Sequence, residues 1–209
     1  MWFRAVLTIV IGYLLGNANG AVIMSKLLSN EDIRNSGSGN AGLTNFMRKF
    51  SPAKGVWVLA IDFAKSVLAC LLGRLFLQEY GFGREGLMLG ALAVSIGHDF
   101  PALLGFRGGK GIVCGFAVAL ASDWRCALMI LAVFVICLGV TRYVSLSSVL
   151  AAAAFSVSFV ILHAYEPFVA VMGALIGLLA IFMHRSNIKR LLAGEEKKAT
   201  FSQFKKKQK

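Results

Sequence analysis

The chain is short of charge, and of acidic charge above all. Only 15% of its 209 residues are Asp, Glu, Lys or Arg, and 10 acids face 22 bases. A soluble domain carries about 25% charged residues. No acidic cluster is present to hold the Mg²⁺ of a phosphoryl transferase. There is no GxSxG nucleophile elbow and no HxxxxD pair: the fifth residue after each histidine is Leu103, Phe168 or Lys189. The four cysteines (Cys70, Cys114, Cys126, Cys137) lie in apolar stretches without CxxC spacing, so neither a metal site nor a disulfide framework is indicated. Heptads and long-period repeats are absent as well.

What is there is hydrophobicity in blocks. Apolar residues make up 57% of the chain and mean hydropathy is +0.72. Seven apolar segments can be drawn, at about 5–28, 55–77, 87–104, 111–122, 125–141, 146–163 and 168–184. A helix needs about 20 apolar residues to cross a bilayer. The fold expected is therefore all-α: a polytopic integral membrane protein with seven transmembrane helices. It divides into a membrane domain over 1–195 and a short basic tail over 196–209. The first segment reads as a span and not a cleaved leader, because apolarity resumes at "AVIMSKLL" and cleavage would export the basic loop behind it.

Charge sets the topology. With alternate loops on opposite sides, only Arg4, Arg74, Arg84, Arg125 and the intramembrane Lys65 fall off the side of the C-terminus, so 17 of the 22 bases share it. The positive-inside rule then places the N-terminus out and the C-terminus in the cytoplasm. Trp2, Trp57 and Trp124 stand at segment ends, as an aromatic belt requires. In a membrane protein a net charge of +12 reports topology and anionic lipid, not nucleic acid. Gly12/Gly16/Gly20, Gly86/Gly90 and Gly173/Gly177 form flat stripes for close helix approach. Asp62 and Lys65 share a helix face inside the second segment and are expected to pair. Asn17 and Asn19 should face the interior, bonding another helix or touching substrate.

The dense polar clusters all fall on the cytoplasmic side: "DIRNSGSGNAGLTNFMR", "GHDFPALLGFRGGKG", "TRYVSLSS" and "HRSNIKRLLAGEE". The second fails the GxxxxGK[ST] test of a nucleotide-binding loop twice, at Leu104 and Gly111. Its physics survives: Gly108 and Gly109 can turn amides toward an anion, beside Lys110 at the start of an apolar helix. In the first cluster Gly37, Gly39 and Gly42 could present amides, Ser38 and Thr44 offer hydroxyls, and Arg48 can fork onto a phosphate. Asn40 and Asn45 either tie that loop to itself or touch ligand. His184, Asn187 and Arg190 follow the last segment, where the histidine serves as a helix cap or as a proton acceptor. Arg142 with Ser145 reads equally as a topology signal with a cap or as part of the site. The residues alone describe an inward-facing pocket for two or more phosphate-like charges. A transporter for a phosphorylated solute is the alternative; it would want its site at the midplane and matching halves, and no repeat is visible.

In this order the stretches "GSGNAGLTNFMR" (37–48), "GHDFPALLGFRGGKG" (97–111), "RYVSL" (142–146) and "NIKRLLAGEE" (187–196) resemble the bacterial membrane acyl-phosphate:glycerol-3-phosphate acyltransferases. The resemblance implies seven helices in the bacterial inner membrane, a site facing the cytoplasm and no metal or other cofactor. Its substrates are glycerol 3-phosphate and acyl phosphate, its surroundings membrane lipid, and a monomer is expected. It implies acyl transfer to the 1-hydroxyl, releasing 1-acyl-glycerol 3-phosphate and phosphate. By position its functional residues fall on Ser38, Thr44, Arg48, Lys110, Ser145, His184, Asn187, Arg190 and Glu196. Lys110, Arg48, His184 and Asn187 are expected to be catalytic. Ser38, Gly39, Asn40, Gly42, Thr44, Asn45, Gly108, Gly109, Ser145, Arg190 and Glu196 are expected to bind substrate. Leu43, Arg107, Ser66 and "GNANG" depart from the family's usual pattern and touch helix packing, not the reaction.

Overall fold

The computed structural model describes residues 1–199, and among these every regular element is helical. In chain order they are α1 Trp2–Asn17, α2 Gly20–Ser29, α3 Leu43–Lys49, α4 Pro52–Leu77, α5 Gly83–Asp99, α6 Ile112–Ser122, α7 Trp124–Thr141, α8 Val144–Leu162, α9 Pro167–Met183 and α10 Arg185–Leu192, with short 3-10 turns between them. The part of the basic tail over 200–209 lies outside the described residues.

Ion pairs mark the two ends of the bundle. At one end Arg4 pairs with Glu79, Arg84 Nε lies 2.6 Å from Glu166, and Asp123 meets Arg125 and His163. At the other end Leu103 N donates to Asn17 at 3.0 Å, and Ser145 and Asn187 meet at 2.7 Å. The apolar helices run between these two ends as passes. Five of the passes are long and apolar enough to cross a membrane, and α9 with α10, bent by 55°, makes a sixth. α6 falls short of the expected span: its 11 residues rise about 16 Å against a hydrocarbon core of about 30 Å. The glycine-rich stretch 105–111 ahead of it is loop, exposed at Gly105, Phe106 and Arg107 and docked through Gly108 and Gly109 on the end of α5.

Lipid-facing positions are recognisable by exposure of large apolar side chains such as Val140, Ile136, Val157, Val171 and Leu178. Inside, Phe155 and Phe159 stack at 4.6 Å within a core drawn from α4 to α9. α1, α4 and α5 approach through glycine: a Cβ on Gly16 would lie 2.7 Å from Gly97 Cα, and one on Gly73 would lie 2.1 Å from the Gly86 carbonyl oxygen. Any side chain there would push helices apart, which is the close packing the stripes predict.

The first segment is not one helix, and its break explains the buried charges. α1 stops at Asn17 and α2 restarts at Gly20, with Asn19 capping it by accepting from Val22 N at 3.1 Å. A helix break leaves open carbonyls behind it and open amides ahead, and in lipid neither finds water. Lys65 Nζ donates to the carbonyls of Gly16 (3.2 Å) and Ala18 (2.9 Å), and Asp62 accepts from Gly20 N at 3.1 Å. The two side chains also pair directly at 2.7 Å, and His98 Nδ1 accepts from Lys65 at 2.9 Å. Asn17 donates to Tyr13 and Asn19 to Ala41, so both asparagines bond protein.

Candidate active site

All four polar clusters meet at the end of the bundle that carries Asn17, Ser145 and Asn187. Lys110 ends the 105–111 loop just before α6 and donates to Asn187 Oδ1 on α10. Asn187 Nδ2 donates to Ser145 Oγ at 2.7 Å and to Glu196 Oε1 at 3.2 Å. Ser145, in the first turn of α8, donates to the same Glu196 oxygen, and Arg190 Nε holds Glu196 Oε2 at 2.6 Å. One hydrogen-bonded line thus runs Lys110, Asn187, Ser145, Glu196, Arg190 through three separate stretches of chain. It exists because α9 ends at Met183, the chain bends, and α10 lays Asn187 and Arg190 across the starts of α6 and α8.

The electrostatics follow from that crowding. Burial, and after it the positive charge of Arg190, hold the Lys110 ammonium down at about 8. Arg48, on α3, adds to the same field, which brings the first cluster to the second. Burial pushes the Glu196 carboxyl up, but hydrogen bonds from Ser145 and Arg190 outweigh it and leave the group below its ordinary range. His184 is buried at the turn after α9. Its Nδ1 lies 2.7 Å from the Ala180 carbonyl oxygen, which can only accept, so Nδ1 carries the proton and Nε2 keeps its lone pair.

The glycine-rich loops are built differently from the expectation. Gly108 N donates to the Asp99 carbonyl at 3.2 Å and Gly109 N to the His98 carbonyl at 3.0 Å. Their amides are therefore spent on docking the loop to the end of α5, not turned toward an anion. In the first loop Gly39 N donates to Ser36 O, Ser38 N to Asn45 Oδ1, and Ala41 N to Gly108 O at 3.3 Å. Asn45 is the staple of this loop: buried, it also donates to the carbonyls of Ile33, Ser36 and Asn40. Asn40 is one of its partners, and Gly42 caps α3. Gly37 has φ +60°, and a Cβ there would lie 2.3 Å from Asn45 Oδ1, so only glycine fits beside the staple. What the loop leaves open is side-chain chemistry: the Ser38 and Thr44 hydroxyls make no hydrogen bond among the described residues. Arg34, which sequence reasoning passed over, bridges the two loops by donating to the carbonyls of Leu104 and Arg107. Only its place in a polar cluster could have flagged it. Arg142, in left-handed backbone, offers its carbonyl to Ala199 N at 2.7 Å, which keeps the segment bearing Glu196 over the site.

Next to Lys110 in the chain, at Gly111, a narrow apolar cleft opens among α5, α6, α7, α8 and α9. Gly111 and Asp99 stand on its wall with Phe116, Ile130, Phe155 and Ile176. Cations and hydroxyls thus adjoin a lipid-like slot: fold and site define a helical integral membrane protein that brings an anionic headgroup and a hydrocarbon chain together.

The family model described as glycerol-3-phosphate acyltransferase matches residues 6–194. A glycerol-3-phosphate acyltransferase from Thermoanaerobacter sp. (strain X514) is 43% identical over 93% of this chain and 95% of its own length. One from Clostridioides difficile (strain 630) is 36% identical over 94% of this chain and 96% of its own. The crystal structure of PlsY (YgiH), an integral membrane glycerol 3-phosphate acyltransferase, in its glycerol 3-phosphate form, superposes with a TM-score of 0.86 at 33% identity, covering 97% of this chain and 99% of that one. Its lysophosphatidic acid form gives a TM-score of 0.81 at 33% identity over 96% and 97% of the two chains. The chain belongs to the glycerol-3-phosphate acyltransferase family.

Proposed function

We propose that the protein transfers a fatty acyl group from an acyl phosphate to the 1-hydroxyl of glycerol 3-phosphate, giving 1-acyl-glycerol 3-phosphate and inorganic phosphate. It does so as a single chain at the cytoplasmic face of a bacterial inner membrane that it crosses seven times. The observation that carries this reading is the line from Lys110 to Arg190 at the mouth of an apolar cleft, in a chain of this family. A transported solute would need no such cleft beside its phosphate site.

An acyl phosphate is already activated, so the protein's work is to bring two anions together and hold them. Lys110, Arg48 and Arg190 offset the repulsion between the phosphates. Lys110, Ser145 and Asn187 hold glycerol 3-phosphate, while Ser38 and Thr44 hold the donor's phosphate. The donor's chain lies in the cleft, which fixes the acyl carbon near Gly111. Orientation of this kind lowers a barrier by roughly 7–11 kcal/mol in favourable cases. The hydroxyl oxygen bonds to the acyl carbon, the carbon–oxygen bond to phosphate breaks, and phosphate departs with the electron pair. A phosphate oxygen of the donor takes the hydroxyl proton; the lone pair on His184 Nε2 is the protein's other acceptor. The test is purified protein with labelled glycerol 3-phosphate and, in turn, acyl phosphate and an acyl thioester. Product with the phosphate alone is expected; turnover with the thioester alone would overturn the donor assignment.

A further inference from the structure

Two groups of Asp, His and Cys side chains converge inside the bundle. The first, Asp62, His98 and Cys114, already holds a cation, because the Lys65 ammonium sits 2.7 Å from Asp62 and 2.9 Å from His98. The second, Asp123, Cys126 and His163, has the same ligand set; no lysine joins it, and the Arg125 guanidinium pairs with Asp123 at 2.6 Å. It stands at the far end of the bundle, one length of α8 from the site: 19 residues, or roughly 28 Å.

The far-end cluster fits a metal closely. Asp123 caps α7 and Cys126 follows in its first turn, so both face the end of α8, where His163 closes the helix. One ligand atom from each lies within 4.8 Å of the others, and all three residues are buried. Asp123 Oδ2 and His163 Nε2 are 3.4 Å apart. Two tetrahedral zinc ligands at bond lengths of about 2.0–2.1 Å stand about 3.4 Å from each other. His163 is only 4% exposed, yet its Nε2 has no hydrogen-bond partner. Buried polar atoms rarely stay unpaired, and each one calls for an explanation.

We propose that Asp123, Cys126 and His163 form a binding site for a divalent metal of the zinc class, clamping the start of α7 to the end of α8. Carboxylate, thiolate and imidazole together are a zinc donor set, with one tetrahedral position left for water. Binding releases the Cys126 thiol proton to solvent. The imidazole proton leaves Nε2 for Nδ1, where Glu166 Oε1 lies 3.9 Å away to receive it as outer support. Arg84 gives up its 3.1 Å contact with Nδ1 and keeps Glu166 through Nε at 2.6 Å, while Arg125 cedes Asp123 Oδ2 to the metal and keeps Oδ1 through Nε at 3.0 Å. CxxC counting missed the cluster because its ligands come from two helix ends. The inference does not depend on the acyl donor or on any residue at the other end.

The test is titration of the purified full-length protein, stripped with chelator, with Co²⁺. One equivalent should raise a thiolate-to-cobalt charge-transfer band that Zn²⁺ then bleaches, and Zn²⁺ should raise Tm by several degrees. Cys126→Ser and His163→Gln should lose the band while eluting like wild type, and Cys114→Ser should keep it. X-ray absorption on the wild-type zinc complex needs no variant and should count one sulfur among nitrogen and oxygen ligands. Absence of the band in wild type, its survival in Cys126→Ser, or a zinc shell without sulfur each overturns the proposal.

Discussion

Lys110 is the residue whose removal tests the most. Its ammonium is held by Asn187 and crowded by Arg190 and Arg48, so it stands ready to meet a phosphate just ahead of α6. Losing one charge-assisted contact of about 3 kcal/mol in the transition state costs roughly 100-fold in rate. Lys110→Ala should therefore drop kcat/KM at least about 100-fold, read as phosphate release by protein in detergent micelles. The pH profile is the sharper measurement. Burial and Arg190 place the group at about 8, below an ordinary lysine. The charged form is the competent one, so kcat/KM should fall as pH rises through about 8. Lys110→Arg keeps its charge over that whole range, and should retain part of the activity while losing the alkaline limb. Near-normal turnover by folded Lys110→Ala, or an alkaline limb that persists in Lys110→Arg, would refute the reasoning.

Arg48→Ala should cost about 100-fold in kcat/KM by losing a forked phosphate contact, and a change confined to thermal stability would contradict that role. His184→Gln separates the two proton acceptors: a limb lost from the pH–rate curve assigns the proton to His184, and an unchanged profile assigns it to the donor's phosphate. Asn45→Asp keeps the bond from Ser38 N but strands the carbonyls of Ile33, Ser36 and Asn40; KM should rise and proteolysis between Ile33 and Arg48 should quicken. Asp62→Asn leaves Lys65 buried without its charge partner, at a cost of about 3–5 kcal/mol; Tm should fall steeply, and more than in the Asp62→Asn, Lys65→Met double variant.

Much of this architecture was readable because lipid imposes simple rules. Apolar length marked the passes, Gly16 and Gly86 sat in stripes that close packing explains, and three-residue spacing paired Asp62 with Lys65. Two features resisted. The run from Trp2 to Ser29 reads as one apolar segment, and "GNANG" within it reads as interior polar groups and helix packing, not as the end of α1 at Asn17; the partners that make the break tolerable are Asp62 and Lys65, on another helix. The roles of Gly108, Gly109 and Asn45 were hidden for a related reason. A loop rich in amides and glycine looks the same in sequence whether its N–H groups face an anion or the end of α5, and only the three-dimensional partners decide. The line from Lys110 to Arg190 draws together Lys110, Ser145, Asn187 and Arg190, which their clusters had singled out, and Glu196, which only the family resemblance had marked.

The shortness of α6 joins these observations into one argument. A chemistry that couples a charged headgroup to a hydrocarbon tail must happen where polar and apolar surroundings touch. A full-length helix would carry that boundary out to the membrane surface, where water competes for both phosphates. Here α6 begins only at Ile112, so the loop carrying Lys110 runs directly into Gly111 on the wall of the cleft. Where that loop docks on the end of α5 its backbone needs partners, and the loop spends the amides of Gly108 and Gly109 there. It also partly buries its lysine, which is what draws the ammonium down to about 8. Lengthening α6 by extending it over 105–111 should therefore abolish activity and return Lys110 to ordinary titration together. If lengthened α6 kept the alkaline limb near 8, depth would not be what sets the lysine's charge.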